Sequence, residues 1–356
     1  MSRRIRYEDE HALLRDEARR WLAERCTPAD LRRLARDPVG DDPDVWETLA
    51  AMGWTGLLVP EAYGGAGLGA LHLAVLSEEC GRRLLPSPLL ATQMAGLLIA
   101  RAGDEAQRAR WLPGIADGSL RATFAPLDDD GAPPARLVDG RLEGVFHHVT
   151  AAPTAALLVV PVETPEGPRL ACLEAATCAV EAEVGLDPSR RRGRVRVAGA
   201  APAADAFLAR DAGEARRETL PWRLVALAAE MAGGTDTLLT LTAEYAATRR
   251  QFGRAIGSFQ AVKHPLVDVL VELEHLRSLV YGAATALEDG RDDALLLARM
   301  AKAQASEVYP FAASRAVQLH GGFGFTEDCD AHLYLRRAQC SRADSGDAVQ
   351  HRVHVA

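Results

Sequence analysis

Three long helical patterns in the C-terminal part of the chain constrain its fold most. Segments 219–248, 261–287 and 292–319 carry apolar residues three and four positions apart, which is the spacing of an amphipathic helix. Pro310 lies inside the third segment and removes one backbone donor, so we expect a bend there. Long helices bury their apolar faces against one another, and we therefore expect a four-helix bundle in region 213–356.

The preceding sequence shows two further patterns. Up to about residue 118 the apolar spacing is again helical, interrupted by a glycine-dense loop at 53–69. From 119 to 212, short apolar or alternating runs are separated by Gly, Pro and Asp, as in a small antiparallel β domain. The prediction is an α+β protein, mainly α, with an N-terminal helical domain at 1–118, a central β domain at 119–212 and a C-terminal bundle at 213–356.

Composition argues against several classes of function. The 356 residues carry a formal net charge of −8, which argues against a nucleic-acid partner. Six cysteines with no CxxC pair indicate neither a disulfide framework nor a zinc site. His147 and His148 are adjacent but lack further ligands nearby, and we expect no metal. The sequence shows no run of roughly 18 apolar residues and no secretory signal, so we expect no membrane span and a cytoplasmic location.

Two motifs in the C-terminal region carry the chemistry. The first, at 249–260, reads RRQFGRAIGSFQ, and the second, at 318–325, reads QLHGGFGF. A dinucleotide pyrophosphate requires fixed cations and backbone donors, and glycines let the chain approach phosphate oxygens closely. Arg249 offers a planar guanidinium to phosphate, and Gln260 and Gln318 offer amides to ribose or adenine.

Taken singly, each motif has a plainer interpretation. Gly321-Gly322 also suits a helix C-cap, and Arg249 also suits a solvated surface. Taken together, RxxFGxxIxxFQ followed by QxxGGxGF is a long, restrictive pattern, and it resembles the acyl-CoA dehydrogenase family. The resemblance covers nearly the whole chain and is weakest in the β domain. Further matches are MGWTGLLVPEAYGGAGLG (52–69), WLPGIADG (111–118), LDPSRR (186–191) and DAHLYLRRA (330–338).

The resemblance implies a fold, a cofactor and an assembly. In the family an N-terminal helical domain, a small central β-barrel or sandwich and a C-terminal four-helix bundle assemble as dimers or tetramers, with FAD between subunits. The two motifs then bind the adenosine diphosphate half of an FAD whose flavin ring lies mainly in the neighbouring subunit. The implied cofactor-binding residues are Arg249, Phe252, Gln260, Gln318, Gly321, Gly322 and Gly324.

The β domain departs from the family pattern. In the family it usually opens with a Thr-Glu-Pro-x-x-Gly-Ser-Asp segment, followed by a strand that carries a tryptophan, and together these hold the flavin ring and the substrate. Here residues 123–149 read TFAPLDDDGAPPARLVDGRLEGVFHHV, which lacks both the Thr-Glu-Pro and the Gly-Ser-Asp. His147 and His148 stand near the missing tryptophan. We therefore expect a reduced half-site for the flavin ring.

The second departure concerns the catalytic base. Removal of the α-proton of a thioester needs a carboxylate, but Ser345 stands where the family usually carries its glutamate, and serine stays neutral. An alternative family position, near the start of the first long helix, falls on Arg223 or Leu224. Asp344 and Asp347 flank Ser345 as weak candidates with a shorter side chain. The identity of a base in this chain is left open.

Other polar residues near these positions have ordinary interpretations. Glu230 follows Arg223 by two helical turns, roughly 10 Å away, on a similar face. Arg336 and Arg337 resemble a family pair, for which a role in orienting the dimer or the cofactor competes with a surface ion pair. His320 is predicted to be a hydrogen-bonding residue at a helix end.

These observations favour one function and leave two alternatives. The favoured hypothesis is a base-lacking subunit of a heteromeric, actinobacterial-type acyl-CoA dehydrogenase, whose partner chain supplies the glutamate. The expected reaction is α,β-dehydrogenation of an acyl-CoA, such as a steroid side-chain thioester, with electrons passing to an electron-transfer flavoprotein. The first alternative is a stand-alone homo-oligomeric flavoenzyme, either a dehydrogenase that uses Asp344 or Asp347 or a relative diverted to oxygen chemistry in secondary metabolism. The second is a non-enzymatic scaffold, which the retention of both motifs disfavours.

Overall fold

The structure, a computed structural model, describes residues 7–37, 39–126, 135–203 and 205–355. Its first part is helical, as the apolar spacing predicts. Capping residues set several boundaries: Asp42 accepts from the N–H of Asp44 at one helix start, and Asp104 with Gln107 forms a capping box at another. The helices are α1 (Asp9–Arg25), α2 (Pro28–Arg36), α3 (Pro43–Ala51), α4 (Ala70–Arg82), α5 (Leu89–Ala102) and α6 (Glu105–Ala116).

The middle of the chain forms a single sheet. Its strands are β1 (Ala122–Phe124), β2 (Ala135–Val138), β3 (Arg141–Thr150), β4 (Leu157–Thr164), β5 (Gly167–Glu174), β6 (Ala179–Glu183), β7 (Arg192–Ala200) and β8 (Phe207–Asp211). Their spatial order is β6-β7-β3-β2-β4-β5-β8, with β1 paired to β4. Most neighbours are antiparallel, as predicted, but β1 and β2 each run parallel to β4. Strand β3, which comes between β2 and β4 in the sequence, runs in the opposite direction to both. Strands β2 and β4 therefore run in the same direction.

Strand β4 shows how the core of this region is built. Leu157 and Val159 belong to one apolar cluster with residues of α5 and α6. Leu158 and Val160 belong to a second cluster, which contains Phe146 of β3. Alternate residues of a strand point to opposite faces, so the nearly continuous apolar run of β4 reflects burial on both of them.

After the sheet the chain returns to helices, and α7 to α10 form the predicted four-helix bundle. Helix α9 packs on α8 and α10, and it runs through Pro310 as one helix. The elements are α7 (Ala212–Thr248), β9 (Arg250–Gln251), β10 (Arg254–Ala255), α8 (Gln260–Glu288), α9 (Ala294–His320), α10 (Ala331–Ala343) and α11 (Ala348–Val353).

Contacts within the chain divide it into two compact units. The described parts of 1–31, 70–85 and 221–356 form one unit, which contains α1, α4, most of α7, and α8 to α11. The described parts of 32–69 and 86–220 form the other, which contains α3, α5, α6 and the sheet. The N-terminal helices are therefore shared between the units, and the three-domain division of the sequence stays a prediction.

Glycines let α7 lie against α4 with almost no side chains between them. A Cβ at Gly233 would lie 1.8 Å from the carbonyl oxygen of Glu78, and a Cβ at Gly81 would lie 1.9 Å from that of Glu230. Because no side chain fits at either position, the two backbones are in direct contact. Larger residues at these positions would force the helices apart.

A buried ion pair joins α7 to α10 next to this contact. Arg337 is 1% exposed, and its Nη1 lies 2.6 Å from Oε1 of Glu230. Its other terminal nitrogen donates to the carbonyl oxygen of Leu84 at 3.5 Å. The surface ion pair considered for Arg337 from the sequence is wrong, because partners distant in sequence enclose the guanidinium.

Among the described residues, α7 is long and apolar enough to cross a membrane, although the sequence shows no uninterrupted apolar run of that length. Of its most apolar stretch, 72% is buried inside the protein. The core helix of a folded domain passes the same test. Helix α7 is therefore a weak candidate for a span.

We expect Arg337→Ala to lower the free energy of unfolding by about 3–5 kcal/mol, because it leaves the Glu230 carboxylate buried without its partner. Replacing both charges, as in Arg337→Met with Glu230→Leu, should recover most of that loss. Arg336→Ala, at the half-buried neighbouring position, is the control and should cost less than about 1 kcal/mol. Urea denaturation measures all three, and a wild-type midpoint for Arg337→Ala would contradict the assignment.

Candidate functional site

The first motif forms a two-stranded hairpin at the end of α7. Strands β9 and β10 pair with Gln251 opposite Arg254, so Phe252 and Gly253 form a two-residue turn. Both have a positive φ, +52° and +78°, as a type I′ turn requires. That conformation is unfavourable for phenylalanine, yet the Phe252 side chain is 90% exposed. The chain thus holds an aromatic ring in solvent on a strained turn.

The polar side chains of the motifs are also exposed. Arg249, Gln260 and Gln318 all lie at the surface, and Arg249 makes no ion pair with any described residue. Arg254, in contrast, lies over the ring of Phe259, with its guanidinium carbon 4.1 Å from the ring centre. Arg249 therefore remains as a cation that is able to bind an external anion.

The second motif follows the end of α9. Its glycines lie in a short 3-10 turn, Gly321–Phe325, and Gly321 has a φ of +62°. Phe323 and Phe325 are 44% and 81% exposed. His320 is buried, and its Nδ1 donates to a backbone carbonyl oxygen one turn back at 2.7 Å. The helix-end role predicted for His320 is confirmed.

The three glycines of this loop have different structural reasons to be glycine. Gly321 has a positive φ, and a Cβ at Gly324 would lie 2.4 Å from the carbonyl oxygen of Val317. Gly322 has neither constraint, since its φ is not positive and a Cβ there would meet no atom within 4 Å. The fold of the chain therefore explains two of these glycines and leaves Gly322 with free space above it.

The structure brings the two motifs side by side. Tyr245 lies one turn before Arg249 on α7 and stacks on His320, with ring centres 4.3 Å apart. The hairpin and the glycine loop therefore share one edge of the bundle. The predicted cofactor-binding residues lie in these two segments or next to them, with Arg249 before the hairpin, Gln260 at the start of α8 and Gln318 near the end of α9.

The two positions considered for the base also meet. Arg223 on α7 and Asp344 at the end of α10 form an ion pair, with Nη2 and Oδ1 2.9 Å apart. Their side chains are largely buried, at 15% and 12% exposed. The hydroxyl of Ser345 lies 3.4 Å from the same oxygen of Asp344. Asp344 is thus engaged by Arg223 rather than free to accept a proton.

Asp347, the second weak candidate, is the N-cap of α11. Its carboxylate accepts hydrogen bonds from the N–H groups of Val349 at 2.9 Å and Gln350 at 3.0 Å. The bond from Gln350, followed by that from Val349, lowers the pKa of Asp347 below its ordinary value. A carboxylate with a lowered pKa is a weaker base. Glu230, which is paired with Arg337, is also engaged.

A buried lysine that the sequence reasoning missed holds the turn containing Ser345. Nζ of Lys302 donates to the carbonyl oxygens of Gly346 at 2.8 Å and Arg342 at 3.2 Å, and to the hydroxyl of Ser306 at 2.8 Å. These oxygens satisfy a side chain that has no exposed surface. The available signal was a lysine on the apolar face of a helix.

His351 of α11 packs near the same turn. It is 4% exposed, and the backbone of Ser345 and Gly346 lies close to its ring. Burial, together with repulsion from Lys302 and Arg299, lowers the pKa of His351 to about 4. The ring is therefore neutral at pH 7.

A possible metal-binding cluster joins α1 and α4. Its members are Glu10, His11 and His72, each of which offers one ligand atom within 4.8 Å of the others. Nδ1 of His11, however, accepts a hydrogen bond from the N–H of Glu8 at the start of α1. A metal-bound imidazole instead uses its second nitrogen as a donor. His11 therefore serves as a helix cap, and this cluster does not support a metal site.

His147 and His148 form a β-bulge. The pairing of β3 with β7 shifts by one residue here, and His148 has a φ of +57°. Glu183 of β6 accepts from the N–H of His148 at 2.8 Å and lies 3.2 Å from Nδ1 of His147. The two histidines are thus held by a carboxylate of the sheet. Residues 127–134 of the shortened segment lie outside the described residues.

Comparison with known proteins identifies the family. The N-terminal domain of acyl-CoA dehydrogenases matches residues 8–119, and their C-terminal domain matches residues 211–356. The acyl-CoA dehydrogenase IpdE2 of Mycobacterium tuberculosis is 34% identical over 335 residues, which covers 94% of this chain and 92% of the relative. The chain belongs to the acyl-CoA dehydrogenase family.

Solved structures share the fold along nearly the whole chain. A variant of the steroid ACAD Tcur3481-Tcur3483 is 34% identical, with a TM-score of 0.87 and coverage of 98% of this chain and 96% of that one. The ChsE4-ChsE5 complex from Mycobacterium tuberculosis is 26% identical, with a TM-score of 0.91 and coverage of 99% and 98%. The predicted acyl-CoA dehydrogenase fold is confirmed. The cofactor of the family is FAD, as the resemblance implied.

We expect His351 to lower the stability of the protein as the pH falls from about 6.5 to about 4. The unfolded state binds a proton on this ring near pH 6.5 and the folded state only near pH 4, so acid favours unfolding within that window. The expected loss in the free energy of unfolding is about 1.5 kcal/mol. This is roughly half of the free energy that the full pKa shift corresponds to, because water screens part of the interaction.

His351→Leu should flatten the dependence of the urea midpoint on pH in that window. His275→Leu, which changes an exposed histidine, is the control and should leave the dependence as in the wild type. An unchanged slope in His351→Leu would show that another group is responsible.

Proposed function

We propose that this chain is the base-lacking subunit of a heteromeric FAD-dependent acyl-CoA dehydrogenase. The observation that carries the proposal is the Arg223–Asp344 ion pair, since it engages a residue at the alternative glutamate position with the carboxylate next to Ser345. A guanidinium cannot accept a proton, and the carboxylate beside it is stabilised in its charged form. The chain therefore offers no free base there, while its cofactor motifs stay exposed.

The reaction assigns clear tasks to the protein. Dehydrogenation removes a proton from the α-carbon of an acyl-CoA and a hydride from its β-carbon, and bound FAD supplies the hydride acceptor. The α-proton must pass to a carboxylate with a suitable pKa. Asp344, Asp347 and Glu230 are each engaged elsewhere. We infer that a partner subunit provides this carboxylate.

The exposed edge of the bundle suits the adenosine diphosphate half of FAD. Arg249 supplies a cation for the pyrophosphate, and Gln260 and Gln318 supply amides for the ribose or adenine. Phe252 presents an aromatic face, which explains why a strained turn holds an exposed ring. The glycine loop supplies backbone N–H groups, with Gly321 and Gly324 setting its shape and Gly322 leaving room for the ligand.

The relatives support both the assembly and the substrate class. Tcur3481-Tcur3483 and ChsE4-ChsE5 are, by their names, complexes of two different chains, and the first is a steroid ACAD. We extend this to the present chain as a proposal: its assembly acts on a bulky acyl-CoA such as a steroid side-chain thioester. The electrons would pass to an electron-transfer flavoprotein.

We expect Gly322→Ala to lower the affinity of the assembly for FAD by about tenfold or more, because its Cβ occupies the space above the loop. Its stability should change by less than about 0.5 kcal/mol, since no atom of the described residues lies within 4 Å of that Cβ. Gly324→Ala should instead destabilise the fold by about 1–3 kcal/mol through overlap with Val317. Flavin absorbance per heterodimer and thermal melting separate the two effects.

Gly282→Ala in α8 is the control for Gly322→Ala, because its Cβ also meets no atom and its φ is also not positive. It should leave FAD binding unchanged. Wild-type FAD affinity in Gly322→Ala would remove this loop from the cofactor site.

The proposal that a partner subunit supplies the base is tested by measuring flavin content and turnover. Both are measured for the chain purified alone and for the chain co-expressed with a glutamate-bearing family member. We expect little flavin alone and about one FAD per heterodimer in the complex. In the complex, Ser345→Ala and Asp344→Asn should keep turnover within about threefold of wild type, whereas Glu→Gln at the partner's base should lower it about a thousandfold or more.

One result would overturn this proposal in favour of the stand-alone flavoenzyme. It is a yellow homo-oligomer of this chain alone that reduces its flavin with acyl-CoA and loses that activity on Asp344→Asn or Asp347→Asn.

A further inference from the structure

An aromatic stack lies beneath the proposed cofactor edge. The ring of Tyr245 on α7 is nearly parallel to that of His320, at 25° and 4.3 Å between centres. Phe323 of the glycine loop lies beside this pair, with its ring centre 6.3 Å from that of Tyr245 at 17° and 6.3 Å from that of His320 at 40°. His320 is 4% exposed, so the stack is anchored inside the protein and ends at the loop.

Hydrogen bonds fix Tyr245 and His320 to the backbone. Nδ1 of His320 donates to the carbonyl oxygen of Ala316 at 2.7 Å, which sets the orientation of the imidazole. The Tyr245 hydroxyl donates to the carbonyl oxygen of His320 at 3.4 Å. The N–H of Arg249 donates to the carbonyl oxygen of Tyr245 at 2.8 Å. The stack therefore runs from the backbone of the exposed arginine to the backbone that precedes the glycines.

This arrangement joins two segments that are far apart in sequence. Arg249 follows the end of α7, and the glycine loop follows the end of α9, about 70 residues later. A site for pyrophosphate needs the cation and the backbone donors at a fixed separation, and an error of about 1 Å weakens such a site strongly. Among the described contacts, the ring of Tyr245 connects these two ends through its contacts with His320 and Phe323.

We propose that Tyr245 and His320 are positioning residues, which set the glycine loop against Arg249 and thereby determine how tightly the adenosine diphosphate part of FAD is held. This inference rests on the function proposed above. Neither residue needs to touch the cofactor. Tyr245 acts through its ring, and His320 acts through its ring and its Nδ1–H bond.

The test uses the co-expressed assembly, with FAD binding followed by quenching of flavin fluorescence and ADP binding followed by competition. Tyr245→Leu removes the stack and should weaken both FAD and ADP about tenfold. Tyr245→Phe keeps the ring and should bind both within about twofold of wild type. Equal weakening of FAD and ADP is the expected signature, because the stack acts on the half of the cofactor that the two share.

A purely structural role predicts a different result. Leu276→Ala in the core of α8 should lower the melting temperature and leave the affinity of the folded assembly for ADP unchanged. Should Tyr245→Leu fail to fold, Phe323→Leu removes the half-exposed ring beside Tyr245 and His320 and should still weaken ADP binding about threefold.

The possible failures are distinguishable. Absence of FAD from the wild-type assembly would refute the proposed function. FAD and ADP affinities in Tyr245→Leu within twofold of wild type would refute the positioning role alone. An equal loss in Tyr245→Phe and Tyr245→Leu would also refute it, because the ring would then not be the cause.

Discussion

The close backbone contact between α4 and α7 is the constraint on which the rest of the unit that contains α1, α4 and the C-terminal bundle depends. Glycines at 81 and 233 allow it, because any side chain there would overlap a carbonyl group of the facing helix. With the two helices this close, Glu230 comes beneath Arg337 of α10, and the ion pair forms in a buried place. Such a pair contributes to a unique arrangement of the helices more than to net stability, because desolvation offsets much of its attraction.

Helix α7 then carries two opposed chemical environments. Within its first half, Arg223 is paired with Asp344 in a largely buried place. At its end the chain leaves Arg249 without an ion-pair partner among the described residues and exposes Phe252 on a strained turn. Partly buried charges need partners, whereas exposed charges and rings cost little in water and bind what approaches them. The charges of Arg223 and Asp344 are therefore paired within the chain, whereas Arg249 and Phe252 are exposed to a ligand.

Much of the fold was predictable from local patterns. The long helices follow from apolar spacing, the strands from short alternating runs, and the acyl-CoA dehydrogenase fold from the two motifs. Helix-end chemistry was also predictable for His320, because the bond that its Nδ1 makes lies within one helical turn. The buried pair of Arg337 and the buried position of Lys302 were not predictable, since their partners lie on other helices or in a turn beyond the next helix. Local spacing contains no information about such partners.

The sequence by itself determined the family, the motifs and the absence of glutamate at positions 223, 224 and 345, because these depend only on residue identity and order. Only the tertiary structure decided that Arg223 and Asp344 pair, that Gly322 alone among the loop glycines has no structural reason, and that Tyr245 connects the two motifs. The physical reason is distance. An ion pair, a steric contact and a ring stack act over a few ångströms, and which side chains come that close is fixed by the packing of α7 against α9 and α10.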